Sequence, residues 1–173
     1  MWISLTLGEI RLEHTGAYST VPGIRIENTE SQTLTLDNSS GTTTVSIVYV
    51  DGNKAFHRGL QLDTQLVGDD LLLIDSVAGS AVYGGVQFYR QNTYSGGTHL
   101  KKGLITLRCD TTESGGSIVS GPLGTGPVYF DNGTSIDTSG DRSFANPLYF
   151  NGSVALGGHN ANMDFHGPAT LRG

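Results

Sequence analysis

The chain has 173 residues, of which 25 are glycine and only 15% are charged. That length suffices for one domain with a substantial buried core, so we expect residues 1–173 to form a single domain. The formal net charge of −6 argues against nucleic acid or an anionic membrane as a partner, because both attract clustered Lys and Arg. The longest apolar run, residues 71–74, is far shorter than the roughly 18 residues of a membrane-spanning helix, so we expect no membrane insertion.

Short apolar alternations recur along the chain and predict β-strands of about 4–5 residues. Gly, Asn and Pro interrupt them every few residues, which leaves no room for helices. In chain order, we expect strands at residues 3–7, 10–12, 23–26, 33–36, 43–50, 59–62, 70–74, 81–89, 104–109, 117–119, 128–130, 148–150 and 153–156. Residues 165–171 continue the same pattern.

Two pairs of residues mark expected corners between strands: Gly96-Gly97 and Asn132-Gly133. Both pairs supply backbone with positive φ, which other residues adopt only at a cost. At about 20–25 residues per coil, a chain of this length would form seven or eight coils of β-structure.

The single cysteine, Cys109, excludes an intrachain disulfide. It follows Ile105 and Leu107 in an alternation that turns Thr106 and Arg108 toward solvent. We therefore expect Cys109 to be a small buried hydrophobic side chain rather than a nucleophile.

The most informative segment is residues 91–136. Its motif consists of Asn92, Thr93, Tyr94, Gly96, Gly97, Thr98, Gly103, Leu123, Gly124, Gly126, Pro127 and Val128. The segment resembles the autotransporter-associated β-strand repeat, or passenger-associated transport repeat, of secreted bacterial β-helix proteins. Residues 146–158 resemble the coil that usually follows this repeat, whereas residues 1–90 match it only loosely. One full copy of the repeat is visible, although the family commonly carries several.

The strands, the corners and this resemblance together predict an all-β fold: a single-stranded right-handed parallel β-helix, or β-solenoid, of about seven or eight coils. The resemblance further implies a segment of a longer secreted or surface-exposed bacterial protein, exported by a signal outside this chain. The ends of a parallel solenoid leave backbone groups unpaired. We therefore expect the rest of a longer β-helix chain, or end-to-end self-association, as a partner.

No catalytic motif stands out, and we expect a non-enzymatic structural or adhesive segment without a cofactor. One alternative is a polysaccharide-degrading enzyme, since pectin-lyase-like enzymes share the β-helix fold. Asp69 and Asp70 are then the candidate acid and base. They share a site only if a turn brings them together, because neighbouring strand residues point to opposite faces. Arg25-Ile26-Glu27 lacks the final cation of the Arg-Ile-Lys motif of such hydrolases.

A carbohydrate-binding role is the intermediate alternative, with Tyr129 and Tyr149 as the candidate ligand-binding residues and surface glycans as the partner. Each tyrosine directly precedes a phenylalanine, Phe130 or Phe150. Alternation along a strand turns both phenylalanines inward and both tyrosines outward, at matching positions of successive strands.

An acidic segment suggests a metal site, because Asp131, Asp137 and Asp141 supply carboxylate oxygens that suit calcium. Their spacing fits neither an EF-hand nor a calcium-binding nonapeptide repeat. The sequence leaves calcium binding by these three residues open, and we expect them to form a polar corner of the fold.

Overall fold

The computed structural model describes residues 2–6, 8–14, 24–27, 32–49, 59–76, 85–157 and 161–173. All regular elements in these ranges are β-strands, which confirms the all-β prediction. Within the same ranges, no helix is long and apolar enough to cross a membrane. The strands are β1 (Trp2–Thr6), β2 (Glu9–His14), β3 (Ile24–Glu27), β4 (Thr33–Leu36), β5 (Thr42–Tyr49), β6 (Leu60–Asp63), β7 (Gln65–Gly68), β8 (Leu71–Ser76), β9 (Val86–Phe88), β10 (Thr98–Lys102), β11 (Leu104–Leu107), β12 (Thr112–Ser114), β13 (Ser117–Ser120), β14 (Val128–Asp131), β15 (Thr134–Thr138), β16 (Arg142–Phe144), β17 (Leu148–Asn151), β18 (Val154–Leu156), β19 (Met163–Phe165) and β20 (Ala169–Arg172).

Two sheets make up most of the fold. One has eight strands in the order β1-β2-β5-β8-β10-β14-β17-β20, and the other has six in the order β18-β15-β11-β9-β6-β3. Every pairing within them is parallel except that of β1 with β2, which form an antiparallel hairpin. To form a parallel pair, the chain must cross back to the end of the sheet at which the first strand began before it starts the second. The stacked parallel sheets are thus consistent with a β-solenoid.

The strand register gives the length of chain between aligned positions. Thr98 aligns with Val128, Val128 with Leu148, and Leu148 with Ala169, at spacings of 30, 20 and 21 residues. The longest interval contains β12 and β13, which pair antiparallel outside the two main sheets. The hairpin therefore accounts for the extra length of that interval.

The core lies between the sheets and is built from columns of inward apolar side chains. The eight-stranded sheet contributes Val45, Ile74, Leu100, Phe130 and Phe150, and the six-stranded sheet contributes Leu60, Val86, Ile105 and Ile136, all of them buried. The rings of Phe130 and Phe150 stack with their centroids 5.2 Å apart. This confirms the prediction that both phenylalanines point inward.

Glycines turn the chain from the eight-stranded sheet into the six-stranded one. Gly103, Gly133 and Gly152 hold φ values of 96°, 80° and 104° at equivalent corners. The prediction of a positive-φ corner is confirmed at Gly133 and at Gly97 (φ 89°), whereas Gly96 does not have positive φ. A Cβ on Gly96 would lie 2.2 Å from the backbone of the preceding coil, so close approach is what requires glycine there.

Most predicted strands are present with shifted ends. The prediction from the sequence did not include β7, β10, β12, β15, β16 and β19. β10 carries two lysines, yet it pairs with β8 and β14 in the middle of a sheet. The strand predicted at 81–89 is β9, and residues 81–84 lie outside the described ranges. The strand predicted at 104–109 ends at Leu107, and Thr106 is buried between the longer outward side chains of Gln87 and Asp137.

Candidate functional site

The two halves of the repeat motif are neighbouring layers of one corner of the solenoid. The Thr125 N–H donates a hydrogen bond of 2.9 Å to the carbonyl of Tyr94, and the Thr98 N–H donates one of 2.9 Å to the carbonyl of Pro127. Residues 92–98 therefore stack directly beneath residues 123–128. Leu123 and Val128 fill the core at this level, while Thr93 is exposed.

Buried asparagines tie these layers together. Asn92 is 1% exposed; its Oδ1 accepts from the Leu66 N–H at 2.8 Å, and its Nδ2 donates to the Pro122 carbonyl at 2.6 Å. The buried Asn146 also binds backbone, with its Nδ2 donating to the Gly126 carbonyl at 2.8 Å and to the Gly124 carbonyl at 3.2 Å. A carboxamide has both a donor and an acceptor, so it satisfies backbone groups that a corner would otherwise leave buried and unpaired.

Tyr94 is the largest fully buried side chain of the corner. Its hydroxyl lies 2.5 Å from Oγ1 of Thr98, which also donates to the Leu123 carbonyl at 3.3 Å. Burial raises the pKa of Tyr94 above its ordinary value, although the contact with Thr98 opposes the shift. The side chain is therefore neutral and acts in packing.

The glycines of the motif allow backbone to pass over backbone. A Cβ on Gly124 would lie 2.3 Å from the Tyr94 carbonyl oxygen, and one on Gly126 would lie 2.4 Å from that of Ser95. Gly97 is equally confined, with the Pro127 carbonyl oxygen 2.5 Å from the position of a Cβ. None of these three approaches tolerates a side chain. Apart from the exposed Thr93, and from Gly103 at the corner between β10 and β11, the motif thus places its side chains and glycines in this one corner.

Tyr129 and Tyr149 lie on the outward face of the eight-stranded sheet, where the register pairs them directly. Their rings are stacked at 5.0 Å and 15°. Arg172 covers the other side of Tyr149 with its guanidinium carbon 5.0 Å from the ring centroid, and His99 meets Tyr129 edge-on at 6.1 Å. The pair consequently presents ring edges and hydroxyls to solvent, rather than open ring faces.

Polar side chains border this tyrosine pair. Nε2 of His99 lies 3.1 Å from Oδ1 of Asp131, within ion-pair distance but outside hydrogen-bond geometry. Asn151 donates to the same carboxylate oxygen at 3.3 Å. Burial opposes ionisation of Asp131, but His99, Asn151 and the charge of Lys101 outweigh it and lower the pKa of Asp131. The carboxylate therefore stays charged beside the tyrosines at neutral pH.

The two candidate catalytic carboxylates lie in different environments. Asp70 is 3% exposed, and its Oδ2 accepts from the Asn38 N–H at 2.7 Å and from the Thr43 hydroxyl at 2.8 Å. Asp69 is exposed. Asp70 thus holds the turn before β5 in place, and the pair does not converge on a common point in solvent.

The three aspartates of the proposed acidic corner also make separate contacts. Oδ1 of Asp137 accepts from the Thr138 N–H at 2.8 Å, and Oδ1 of Asp141 accepts from the Asn162 N–H at 2.8 Å. Asp131 contacts His99 instead. Among the described residues, no group of three or more His, Cys, Asp or Glu side chains is arranged to hold a metal ion.

The prediction for Cys109 needs correction. Cys109 lies beyond the end of β11 and is only half-buried, outside the core cluster that contains Ile105 and Leu107. The alternation fails because the strand stops two residues earlier. Burial and the neighbouring Asp110 raise the pKa of the Cys109 thiol to about 11, against the opposing charge of Arg142.

Sequence reasoning missed a charged cluster on the six-stranded sheet. Asp63 is 3% exposed, yet its carboxylate pairs with both Arg25 and Arg90. Burial opposes ionisation, but the two guanidiniums outweigh it and lower the pKa of Asp63. The three residues come from separate coils, so no local sequence motif predicts the cluster.

Comparisons with protein-family models, with curated proteins and with solved structures give no match to this chain.

Proposed function

We propose that this chain is a right-handed parallel β-helix of about seven or eight coils and serves as a structural or adhesive, non-enzymatic segment of a secreted or surface-exposed bacterial protein. Parallel strands of one sheet are joined by right-handed crossovers in about 98% of cases, which supports the handedness. Aligned spacings of 20 to 30 residues support the number of coils. The resemblance of residues 91–136 to the autotransporter repeat supports export.

The exposure of core positions in the last layer is the observation that carries the proposal. Leu171 and Leu156 continue the two inward columns, yet they are 82% and 57% exposed. β20 pairs only with β17 in the described part of the chain. A solenoid buries such positions by stacking another coil on them. We infer that further strands extend the solenoid along its axis. When no other protein is present, a second copy of this chain supplies them.

Light scattering during size-exclusion chromatography tests this inference. We expect the wild-type chain to associate as its concentration rises from micromolar to millimolar. Leu171→Asp should remove the association, because it places a charge in the layer that must be buried. Thr170→Asp is the matched control, since Thr170 is its outward neighbour on the same strand. A wild-type chain that stays monomeric throughout, or equal effects of both variants, would contradict the proposal.

Adhesion through the outward faces fits their chemistry. Charged and polar side chains lie there: Asp75 pairs with Lys101 at 2.7 Å, and the Asp131 carboxylate lies 3.1 Å from Nε2 of His99. Each contact with another surface would be weak, so affinity would come from many contacts along the length of the solenoid.

Carbohydrate binding is the second candidate, and the outward pairing of Tyr129 with Tyr149 favours it. Since their ring faces are covered, we expect a glycan to bind through the hydroxyls and ring edges. Binding to an array of surface glycans should then fall in the Tyr129→Phe/Tyr149→Phe variant. Tyr89→Phe, on the other sheet, is the control. Unchanged binding by the double variant would remove this candidate.

The polysaccharide-degrading alternative has less support, because its carboxylate Asp70 is buried and already accepts two hydrogen bonds. A reducing-end assay on pectic polysaccharides tests it directly. Activity that disappears in Asp69→Asn would restore the alternative. We expect no release of reducing ends by either the wild type or the variant.

A further inference from the structure

A row of charged and aromatic side chains crosses the six-stranded sheet at the carboxyl ends of its strands. The Tyr89 N–H donates to the Leu62 carbonyl and the Arg108 N–H to the Phe88 carbonyl, both at 3.0 Å. The parallel ladder therefore continues one residue past β9 and β11. It aligns Asp63 with Tyr89, and Tyr89 with Arg108, on the outward face of the sheet.

Arg90 is held in this row by only one of its nitrogens. Its Nε lies 2.5 Å from Oδ1 of the buried Asp63, whose other oxygen pairs with Arg25. The terminal nitrogens of Arg90 have no partner among the described residues, and the side chain is 52% exposed. A buried carboxylate thus holds the guanidinium through Nε, while its two terminal nitrogens remain without a partner among the described residues.

Arg108 extends the cluster on the far side of Tyr89. Its guanidinium carbon lies 5.1 Å from the Tyr89 ring centroid, and that of Arg25 lies 5.7 Å from the same centroid. The terminal nitrogens of Arg108 donate to Ser139 Oγ at 2.7 Å and to Gln87 Oε1 at 2.9 Å. Both acceptors are neutral, so they orient the guanidinium without cancelling its charge.

The local charge is opposite to that of the whole chain. The cluster holds three guanidiniums, on Arg25, Arg90 and Arg108, and two carboxylates. Asp63 pairs with Arg25 and Arg90, and Glu27 lies 3.4 Å from Arg25. The cluster thus keeps a positive charge on a chain with a formal net charge of −6. That charge would attract an anion. The cluster lies on the six-stranded sheet, whereas the tyrosine pair lies on the eight-stranded one.

We propose that the terminal nitrogens of Arg90 bind an oxyanion: a carboxylate, sulfate or phosphate group. The two terminal nitrogens of a guanidinium match two oxygens of such a group, and charged hydrogen bonds of this kind are the strong ones. Because Asp63 already holds the side chain, little further rotamer entropy is lost on binding. The site does not depend on the proposed structural or glycan-binding role.

The Nε–H resonances of the arginines in a ¹⁵N-labelled chain report this binding. We would titrate the protein with sodium acetate, sodium sulfate and sodium phosphate, each against sodium chloride at matched ionic strength. We expect a saturable shift of the Arg90 signal with at least one of the three anions. If acetate saturates the shift at the lowest concentration, the site prefers a planar carboxylate. If sulfate or phosphate does so, the site prefers a tetrahedral anion. The Arg172 signal, from the other sheet, should move only as it does in chloride.

Arg90→Lys keeps the charge but removes the two terminal nitrogens, and its spectrum also assigns the Arg90 signal. We expect its affinity for the preferred anion to fall about tenfold or more. Arg172→Lys should bind like the wild type, and circular dichroism verifies that both variants fold. Equal affinity of Arg90→Lys and the wild type would overturn the proposal. Shifts in the wild type no larger than those in chloride would overturn it whether or not the variant folds.

Discussion

The backbone at Gly124 passes directly over Tyr94 of the preceding coil. A Cβ on Gly124 would stand 2.3 Å from the Tyr94 carbonyl oxygen and 2.9 Å from its ring, while Gly124 itself holds φ at 70°. Both the backbone conformation and the space therefore require glycine. This contact explains why a tyrosine in one half of the repeat motif is matched by a glycine in the other half.

Gly124→Ala should destabilise the chain by about 2–4 kcal/mol, because it combines left-handed strain with a clash against backbone that cannot move away. Gly133→Ala is the matched control. Gly133 has a φ of 80°, but nothing lies within 4 Å of its Cβ position, so only the strain of about 1 kcal/mol remains. Urea unfolding followed by circular dichroism measures both. Equal losses in the two variants would show that the contact with Tyr94 adds nothing.

The hydroxyl of Tyr94 should couple energetically to Thr98, since the two oxygens are 2.5 Å apart and fully buried. A double-mutant cycle of Tyr94→Phe and Thr98→Val isolates their interaction. We expect a coupling free energy of about 1 kcal/mol in urea unfolding, the net value of a buried neutral hydrogen bond. Strict additivity of the two losses would rule out a stabilising bond between these side chains.

Much of the corner was predictable from the sequence, and part of what was missed left a visible trace. Pro127, Pro147 and Pro168 precede aligned strands, and the carbonyls of Pro127 and Pro147 accept the N–H groups of Thr98 and Val128. Proline fits there because its own missing N–H is not needed in the ladder. A proline thus precedes each of three aligned strands, and this short pattern recurs in the sequence where the full repeat motif does not.

No pattern in the sequence predicts the cluster of Arg25, Asp63 and Arg90. Asp63 and Arg90 meet only because β6 and β9 pair in one register, and a shift of one residue would turn Asp63 inward. Register between coils depends on the whole column of core side chains. Local alternation predicts which face a residue occupies, but the partner in the next coil follows only from the length of the intervening crossover. The outward tyrosines were easier to predict because they occupy equivalent places in two similar coils.

Acid should destabilise the protein partly through Asp63. The pKa of Asp63 is lowered in the folded state, so its contribution to stability is fully present above the unfolded value of about 3.9 and is lost as the pH falls below it. We expect the urea midpoint of the wild type to begin to drop near about pH 4 and to keep falling as the pH is lowered further. In Asp63→Asn the drop should be shallower, from a starting stability about 1–3 kcal/mol lower at pH 7.

Asp69→Asn is the control for this measurement, because Asp69 is an exposed aspartate of the same chain. Its midpoint should follow the wild-type curve. If Asp63→Asn lost stability toward acid as steeply as the wild type does, the arginine-paired carboxylate would not be a source of the acid sensitivity.

Cys109 should react slowly in the folded chain, because burial raises the pKa of its thiol to about 11. At pH 8 a shift of this size leaves roughly 100-fold less thiolate than the unfolded chain holds, but the more basic thiolate is also the better nucleophile. The two effects together predict labelling by a disulfide reagent about tenfold slower in the native chain than in urea, before any steric hindrance. The native rate should also keep rising with pH beyond the value at which the unfolded rate levels off. Cys109→Ser gives the unlabelled baseline, and native labelling as fast as that in urea would mean that the half-buried position does not protect the thiol.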